Sequence, residues 1–492
     1  MRESRTVVPE PGALDQARRL ASRQLNPARK AELGQFMTPE SVAKFMAGLF
    51  SQRVGAIRLL DAGAGVGSLT AAFLNRWGSD DVRATVYELD AKLACYLRET
   101  LDAYGNGRFG ATLIGRDFIQ DAVYKITMGG KGAGFTHAIL NPPYKKINSG
   151  SEHRALLRAA GLETVNLYTA FVGLAIELMA QGGEIVAIVP RSFCNGPYYK
   201  PFRRWTLAKA SIDHIHLFHS RTSAFHDDAV LQENVIVKLV RGKKQGKVTI
   251  TTASDTAFSD LQAHDYPFSE IVREEDEQKF IHVPVAPSHS GQDGVPLAKR
   301  SLEEIGIEVS TGPVVDFRLR EFLRESPGQG TAPLLYPAHF VNGRLEWPRQ
   351  SKKPNAIMDC AESRKWLYPK GFYTVVRRFS SKEERRRIVA HTVDPAAFQG
   401  DMIGFENHLN VFHAGKKGID GDIAHGLAVF LNSTAVDRYF RRFSGHTQVN
   451  ATDLRLLRYP ERWELEKLGR WAQAQERLTQ ETIDREVAAL NG

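Results

Sequence analysis

The tetrapeptide Asn141-Pro142-Pro143-Tyr144 combines residue types that can hold a flat ring carrying an amino group. It follows an apolar run, residues 137–140, which is typical of the end of a buried strand. Because two prolines can neither continue a sheet ladder nor enter a helix interior, the chain must turn at this point. The Asn141 side chain and the Pro142 carbonyl then supply two amide-type acceptors, with an aromatic ring beside them. Open α/β sheets bind their ligands at such strand ends.

A Gly-rich turn upstream predicts a cofactor site at another strand end. An apolar run ends at residues 59–61, Gly63, Gly65 and Gly67 follow, and a helix-like start comes next. Glycine tolerates positive φ and lets the backbone approach a ligand closely. Nicotinamide enzymes also use such a turn, so the turn alone does not identify the cofactor.

Two carboxylates further along the chain narrow the choice of cofactor. Glu88 ends the next predicted strand, where an acid accepts hydrogen bonds from a ribose diol. Asp117 suits an adenine amino group, and the neighbouring Phe118 offers a ring that can pack on the adenine. Together these residues predict a nucleoside-containing cofactor beside the tetrapeptide.

In this order, the segments resemble the S-adenosylmethionine-dependent amino methyltransferases of DNA, whose catalytic sequence is Asn-Pro-Pro-Tyr. Residues 34–40 look like the additional cofactor motif of that family. Their place ahead of the Gly-rich turn, with the recognition region last, is the gamma order typical of N6-adenine enzymes. Residues 336–340, 378–385 and 444–450 are similar to the type II modification methylases of the PstI and BsuBI kind. The resemblance covers roughly residues 30–465.

The resemblance implies roles for individual residues. Those it assigns to S-adenosylmethionine are Phe36, Thr38, Pro39, Asp61, Ala62, Gly63, Gly65, Glu88, Leu89, Asp117, Phe118 and Asn141. Those it assigns to catalysis are Asn141, Pro142, Pro143 and Tyr144. Stacking on a flipped base falls to Tyr144 and Phe225.

The same resemblance implies a substrate and a biological setting. The methyl acceptor is N6 of an adenine in duplex DNA, and the adenine must leave the stack because its amino group is unreachable inside the helix. The enzyme is then the modification arm of a bacterial type II restriction-modification system. A separate restriction endonuclease shares the target site but need not bind this chain.

Several of these residues also fit purely structural roles. Thr38, followed by proline, fits a helix N-cap. Glu88 fits an ordinary strand-end acid, Phe225 a core ring and Asn450 a helix cap. Arg191 fits either a DNA phosphate contact or an ion pair.

The cysteines exclude one related activity. Transfer to carbon 5 of cytosine needs a cysteine nucleophile, normally after a proline, and none of Cys95, Cys194 and Cys360 follows one. Their spacing predicts neither a metal site nor a disulfide framework, and it fits a reducing bacterial cytoplasm. We expect Cys95 and Cys194 to be buried as small hydrophobic residues. N4-cytosine, RNA and protein-glutamine methyltransferases remain open alternatives, as does a non-catalytic DNA-binding regulator.

Length and periodicity predict two main domains in the 492 residues. Short apolar runs alternate with helical patterns over residues 31–245, which predicts an α/β fold with a Rossmann-like, doubly wound parallel sheet. We assign an N-terminal arm to residues 1–30, a catalytic domain to 31–290, an irregular α+β target-recognition domain to 291–465 and a terminal amphipathic helix to 466–492. A linker is expected at residues 288–296. No apolar run has the length of a membrane span, and no signal core is apparent at the N-terminus.

The charge distribution points to a polyanionic partner. The formal net charge is +9, and residues 347–387 interleave basic with aromatic side chains, as a phosphate-binding surface does. A solvated basic face is the alternative. The candidate contacts to duplex DNA are Lys352, Lys353, Arg377, Arg378, Lys382, Gln448 and Asn450. Among them, arginine can bind guanine, and glutamine or asparagine can bind adenine.

Overall fold

The computed structural model describes residues 15, 18, 37–52, 55–78, 80–105, 108–128, 134–218, 233–284, 299–341, 343–380, 384–443 and 448–490. The chain divides into two compact units, Met1–Pro287 and Ser288–Gly492. The expected linker and, except for Asp15 and Arg18, the expected N-terminal arm lie outside the described residues. In the described part of the chain, no helix has both the length and the apolar composition that crossing a membrane requires.

The first unit is built on a nine-stranded sheet with the order β3-β2-β1-β4-β5-β7-β6-β8-β9. Its strands are β1 (Ile57–Ala62), β2 (Val82–Tyr87), β3 (Phe109–Ile114), β4 (Phe135–Leu140), β5 (Met179–Pro190), β6 (Ala210–Phe218), β7 (Asn234–Arg241), β8 (Lys247–Ala253) and β9 (Gln262–Pro267). The five strands from β3 to β5 are parallel. β7 runs antiparallel to both neighbours, and β9 is antiparallel to β8. The α/β fold is confirmed, but the expected all-parallel direction is wrong for β7, since a strand buried on both faces has the same apolar pattern in either direction.

Helices flank this sheet, and two apolar cores form, one on each of its faces. The helices are α1 (Glu40–Gly48), α2 (Ser68–Trp77), α3 (Ala91–Ala103), α4 (Phe118–Thr127), α5 (Glu152–Ala159), α6 (Leu167–Leu178), α7 (Lys200–Lys209) and the short α8 (Phe268–Ile271). Side chains of α1, α2 and α3 join one core, and those of α4, α6 and α7 join the other. In β5, Ile185 and Ala187 face one core while Val186 and Ile188 face the other, the period of two that a doubly wound sheet requires.

The second unit is an irregular α+β assembly, as expected. Its strands are β10 (Glu308–Thr311), β11 (Leu323–Arg324), β12 (Thr331–Leu335), β13 (Phe340–Val341), β14 (Arg344–Leu345), β15 (Ala356–Met358), β16 (Leu367–Pro369), β17 (Tyr373–Arg377), β18 (Ala390–Val393), β19 (Met402–Phe405) and β20 (Leu409–His413). They form sheets with the orders β10-β20-β17-β18, β11-β15-β12-β19-β16 and β13-β14. The helices are α9 (Gly421–Leu431), α10 (Thr434–Phe443), α11 (Ala451–Arg455), α12 (Arg462–Gln473) and α13 (Gln480–Ala489).

Two further structural expectations are wrong. The single terminal helix is two helices, α12 and α13, because Thr479 caps the start of the second by accepting from the Thr482 amide. Cys95 is exposed, whereas Cys194 is buried as expected. The buried face of α3 contains Leu93 and Leu97, and a residue two positions after Leu93 points away from that face.

Candidate cofactor and catalytic site

A cavity of about 400 Å³ lies where β1, β2 and β4 end, within the first unit. The predicted site residues that line it are Thr38, Gly63, Gly65, Glu88, Leu89, Asp117, Phe118, Asn141 and Pro143. The parallel strands β1 to β4 bring most of these distant positions together because their carboxyl ends meet at one edge of the sheet.

The Gly-rich turn forms one wall of the cavity. Gly63 and Gly65 line it with φ values of +79° and +59°, a conformation that favours glycine. Gly67, with φ +89°, directly precedes α2. A Cβ on Gly67 would lie 2.9 Å from the Leu97 Cδ1 atom, so the turn also packs closely against α3.

Glu88 fixes the shape of that turn from the neighbouring strand. Its Oε2 atom accepts from the Gly65 amide at 2.8 Å, and its Oε1 atom accepts from the Asp90 amide at 2.8 Å. The side chain is buried, and burial raises the pKa of Glu88 to about 7, against the lowering effect of these backbone hydrogen bonds. A carboxylate oxygen has further acceptor capacity, so Glu88 can also accept from a ligand hydroxyl.

Asp61 and Ala62 lie beneath the cavity and do not line it. Asp61 is fully buried, and its Oδ2 atom accepts from the Thr70 hydroxyl at 2.6 Å. Its Oδ1 atom has no hydrogen-bond partner among the described residues. Burial raises the pKa of Asp61 to about 7, and the nearby Glu88 contributes in the same direction.

Asp117 combines a structural contact with a place on the cavity wall. Its Oδ1 atom caps α4 by accepting from the Gln120 amide at 3.0 Å. Its Oδ2 atom lies 3.1 Å from Nε2 of His153, which also lines the cavity. Phe118 contributes to the cavity lining, but its ring lies mostly in the core against Phe171, at 4.9 Å between centroids.

Asn141 follows β4 directly and is held by a residue ahead of α1. The Asn141 Nδ2 atom donates to the Thr38 hydroxyl at 2.9 Å. Thr38 makes no side-chain cap bond to α1, whose N-cap residue is Pro39. With Nδ2 bound to Thr38, the oxygen Oδ1 is the acceptor atom that this amide has for a ligand.

The Tyr144 ring does not line the cavity, and it packs against the adjacent strand β5. Its hydroxyl donates to the Ile188 carbonyl at 3.2 Å, its ring centroid lies 6.1 Å from that of Tyr168, and burial raises its pKa. Immediately after it, residues 145–147 pair with residues 165–167 through backbone bonds of 2.8 Å. This pairing fixes the chain on the far side of the two prolines. Pro142 and Pro39 do not line the cavity either.

Three predicted site residues, Phe36, Phe225 and Lys382, lie outside the described residues, and their roles stay predictions. The Phe225 segment joins the end of β6 to the start of β7. Both termini lie at the ligand edge of the sheet, since Leu217 of β6 and Val189 of β5 pair with Val235 of β7.

Arg191 follows β5 at that same edge. Its Nη1 atom lies 2.9 Å from the Glu233 carboxylate, and both side chains are buried. The ion-pair interpretation of Arg191 therefore matches the structure.

In the second unit, the candidate DNA contacts occupy different environments. Lys352 and Lys353 are exposed, and Lys353 pairs with Asp316 at 2.9 Å. Arg377 pairs with Glu384. Asn450 precedes α11, and its backbone N–H donates to the Asp453 carboxylate at 2.9 Å in a capping box. This is the helix-cap role that was the structural alternative for Asn450.

Arg378 and Gln448 meet in the second unit, although they are far apart in the sequence. The Arg378 Nη2 atom donates to Gln448 Oε1 at 3.3 Å, and its Nη1 atom donates to the Asn407 carbonyl at 3.2 Å. These contacts join two of the predicted base readers into one pair.

Other cavity residues were missed from the sequence. The segment after the tetrapeptide contributes Lys145, Lys146, Ile147, Asn148, Ser151 and His153. Ser151 caps α5 and is recognisable as a helix start, but no local pattern indicates that the second residue of that helix reaches Asp117.

Comparison with known proteins connects this site to one enzyme group. Residues 109–225 match the family model described as Eco57I restriction-modification methylase. The chain is 53% identical over 452 residues to the type II methyltransferase M.BsuBI of Bacillus subtilis, covering 90% of each chain. It is 43% identical over 472 residues to the type II methyltransferase M.PstI of Providencia stuartii, covering 93% of this chain and 92% of that one. The cryo-EM structure of the DrdV–DNA complex shares the fold with a TM-score of 0.51 at 14% identity, over 93% of this chain and 59% of that chain.

Proposed function

The chain belongs to the type II methyltransferases of restriction-modification systems, and on that premise we propose that it methylates N6 of an adenine flipped out of duplex DNA. S-adenosylmethionine is the proposed methyl donor. The second unit is the proposed target-recognition domain, and a separate nuclease that cuts the same site is the proposed counterpart in a bacterial cytoplasm.

The observation that carries this proposal is the position of Asn141. It stands at the end of β4, lines the cavity and has its amide nitrogen bound to the Thr38 hydroxyl. An amide oxygen at the edge of a nucleoside-sized cavity suits an exocyclic amine that must be held next to a cofactor.

The residues of the cavity fit S-adenosylmethionine. A volume of about 400 Å³ falls in the range of small-molecule sites, roughly 300–1,000 Å³. Glu88 offers carboxylate oxygens to ribose hydroxyls, Asp117 offers one to the adenine amino group, and Leu89 and Phe118 supply apolar surface. The glycines of the turn allow backbone to approach the methionine part closely. When bound, the cofactor supplies an electrophilic methyl group on a sulfonium.

The main catalytic task of the protein is to position the exocyclic amine of the adenine. An adenine amino nitrogen is a poor nucleophile because its lone pair is delocalised into the ring. If Asn141 Oδ1 and the Pro142 carbonyl accept its two N–H bonds, the nitrogen can become tetrahedral and direct its lone pair at the methyl group. Most of the rate then comes from orientation and preorganised dipoles, without a strong general base. The proton that the methylated amine loses passes to solvent.

Flipping the base costs a few kcal/mol of stacking. Stacking on an aromatic side chain returns about 1–3 kcal/mol per base. Tyr144 is the proposed aromatic partner in the described structure. Its hydroxyl bond to Ile188 and the pairing of residues 145–147 hold its ring in place before the substrate arrives.

The test is transfer of labelled methyl groups to duplex DNA by the full chain and by Asn141→Ala. We expect the variant to retain S-adenosylmethionine binding and to lose transfer. Asn75→Ala is the matched control, since Asn75 is exposed on α2 and accepts from the Tyr104 hydroxyl away from the cavity. Full transfer by Asn141→Ala would refute the assigned role.

Analysis of the product distinguishes the alternatives. Digestion of the DNA to nucleosides should give N6-methyladenine, and N4-methylcytosine in its place would refute the adenine assignment. Loss of the acceptor after DNase treatment, but not after protease treatment, would separate DNA from a protein-glutamine substrate.

A further inference from the structure

Three chain segments of the second unit meet at the end of β17. The Arg378 amide donates to the His408 carbonyl at 2.8 Å, and the Val449 amide donates to the Arg378 carbonyl at 2.7 Å. Phe379 and Gln448 form a β-bridge beside these bonds. The side chains of Arg378, Phe379, His408 and Gln448 therefore form one patch, which we call the 378–408–448 surface.

The polar half of this surface is rich in hydrogen-bond donors. The Arg378 guanidinium donates to Gln448 Oε1 at 3.3 Å and to the Asn407 carbonyl at 3.2 Å. The acceptor oxygen of Gln448 already binds the guanidinium. The pair can therefore offer a ligand hydrogen-bond donors, namely the N–H groups of Arg378 and of the Gln448 side-chain amide.

The apolar half is a supported aromatic ring. Phe379 is 43% exposed, and its ring centroid lies 5.0 Å from that of His408. His408 is itself fixed, because its Nδ1 atom lies 2.5 Å from Glu406 Oε1 and its amide donates to Glu406 Oε2 at 2.9 Å. The Glu406 side chain is fully buried, so this support is rigid.

The surroundings favour a polyanionic partner. In the same unit, Lys353 pairs with Asp316 at 2.9 Å, and this bond lowers the pKa of Asp316. Lys352 is exposed next to Lys353, and the whole chain has a formal net charge of +9. Phosphate groups of a duplex are the matching partner.

We propose that the 378–408–448 surface reads a guanine of the target duplex through the major groove, an inference that rests on the proposed function. Guanine presents two acceptors there, O6 and N7, whereas adenine presents one acceptor and one donor. A pair that offers N–H donors matches guanine and mismatches adenine. This assignment changes the role expected for Gln448, which supports Arg378 and does not itself read an adenine. Phe379 contacts the neighbouring base, as apolar side chains contact a thymine methyl.

The test uses the full chain and its mapped target sequence. Each guanine of the site is replaced in turn by 7-deazaguanine, which lacks N7, and by inosine, which keeps O6 and N7. We expect wild-type binding to fall about 5- to 150-fold with 7-deazaguanine at one position, and to change little with inosine there. Arg378→Ala should bind the unmodified site more weakly and no longer distinguish guanine from 7-deazaguanine at that position.

Control variants separate reading from folding. Arg470→Ala removes an exposed arginine of α12 that pairs with Asp422, and it should keep the full response to 7-deazaguanine. Gln448→Ala removes the support of Arg378 together with the Gln448 amide donor and should weaken that response, which keeps the test available if Arg378→Ala is unstable.

Each outcome decides a different claim. An equal response of wild type, Arg378→Ala and Gln448→Ala to 7-deazaguanine would overturn the guanine-reading role, as would a wild type that tolerates 7-deazaguanine at every position. In both cases, methyl transfer to the unmodified site would leave the proposed function standing. Absence of transfer to any DNA would refute the proposed function and this inference with it.

Discussion

Asn141 and Thr38 are 103 positions apart in the sequence, yet the Asn141 side-chain nitrogen donates to the Thr38 hydroxyl at 2.9 Å. Thr38 lies just ahead of α1, and Asn141 lies at the end of β4. The bond restrains the orientation of the Asn141 amide and thereby the direction in which its acceptor oxygen Oδ1 points. It thereby links the segment before the Gly-rich turn to the residue proposed to hold the reacting amine.

Thr38→Val removes this acceptor while keeping the shape of the side chain. Loss of an ordinary hydrogen bond costs about 0.5–1.5 kcal/mol, and the amide also loses this restraint on its orientation. We expect the rate of single-turnover methyl transfer to fall roughly 2- to 13-fold, with a smaller change in cofactor affinity. Thr38→Ser keeps the hydroxyl and should retain most of the rate. Equal rates for Thr38→Val and the wild type would show that the bond does not position Asn141.

Glu88 should make cofactor binding depend on pH. Burial raises the pKa of Glu88 to about 7 in the free protein, and the ionised form is the stronger acceptor for ribose hydroxyls. Below about pH 7, binding must therefore release a proton, so affinity should fall as pH falls, by at most tenfold per unit. Above this pH the affinity should level off. Isothermal titration with S-adenosylmethionine from pH 5 to pH 8 measures the profile.

Two variants test whether Glu88 is the group that makes cofactor affinity depend on pH. Glu88→Gln removes the titrating group and should flatten it, with weaker binding at pH 8. Asp61→Asn should keep it, although burial also raises the pKa of Asp61 to about 7, because Asp61 does not line the cavity. A flat wild-type profile would contradict the proposed role of Glu88.

Gly67→Ala tests how closely the turn packs on α3. Alanine at φ +89° costs roughly 1–2 kcal/mol, and its Cβ would lie 2.9 Å from Leu97 Cδ1, which adds about 1–3 kcal/mol of overpacking. We expect a clear loss in the free energy of unfolding, measured by chemical denaturation. Gly182→Ala is the matched control, with φ +73° and no heavy atom within 4 Å of the new Cβ, so it should show the backbone cost alone. Equal losses for both variants would mean that Leu97 adapts freely.

The sequence was sufficient to predict the residues that follow parallel strands. Gly63, Glu88 and Asn141 each come directly after an apolar run, and parallel strands bring such positions to one edge without further information. The helix start expected after the Gly-rich turn was also accessible from local pattern, since α2 begins at Ser68, directly after Gly67.

Contacts that depend on long-range packing could not be predicted. His153 reaches Asp117 only because α5 packs across the start of α4, and the pairing of Arg378 with Gln448 joins segments that lie 70 positions apart. The break between α12 and α13 was missed because its signal, the N-cap residue Thr479, is weak within a continuous amphipathic pattern. β7 is antiparallel to its neighbours because it is inserted between β5 and β6. Its apolar composition does not indicate this position.

The last prediction concerns Arg191, for which the sequence allows either a DNA phosphate contact or an ion pair. The structure favours the ion pair with Glu233. The Arg191 guanidinium lies 2.9 Å from the Glu233 carboxylate, with side-chain exposures of 5% and 6%. Arg191→Met leaves a buried carboxylate without this partner, which should lower the free energy of unfolding by about 3–5 kcal/mol. Arg191→Met/Glu233→Leu removes both charges and should recover much of that loss. If Arg191 makes no phosphate contact, the slope of log affinity against log salt for DNA should be the same in the double variant and the wild type, whereas a slope reduced by about one unit would reveal a phosphate contact.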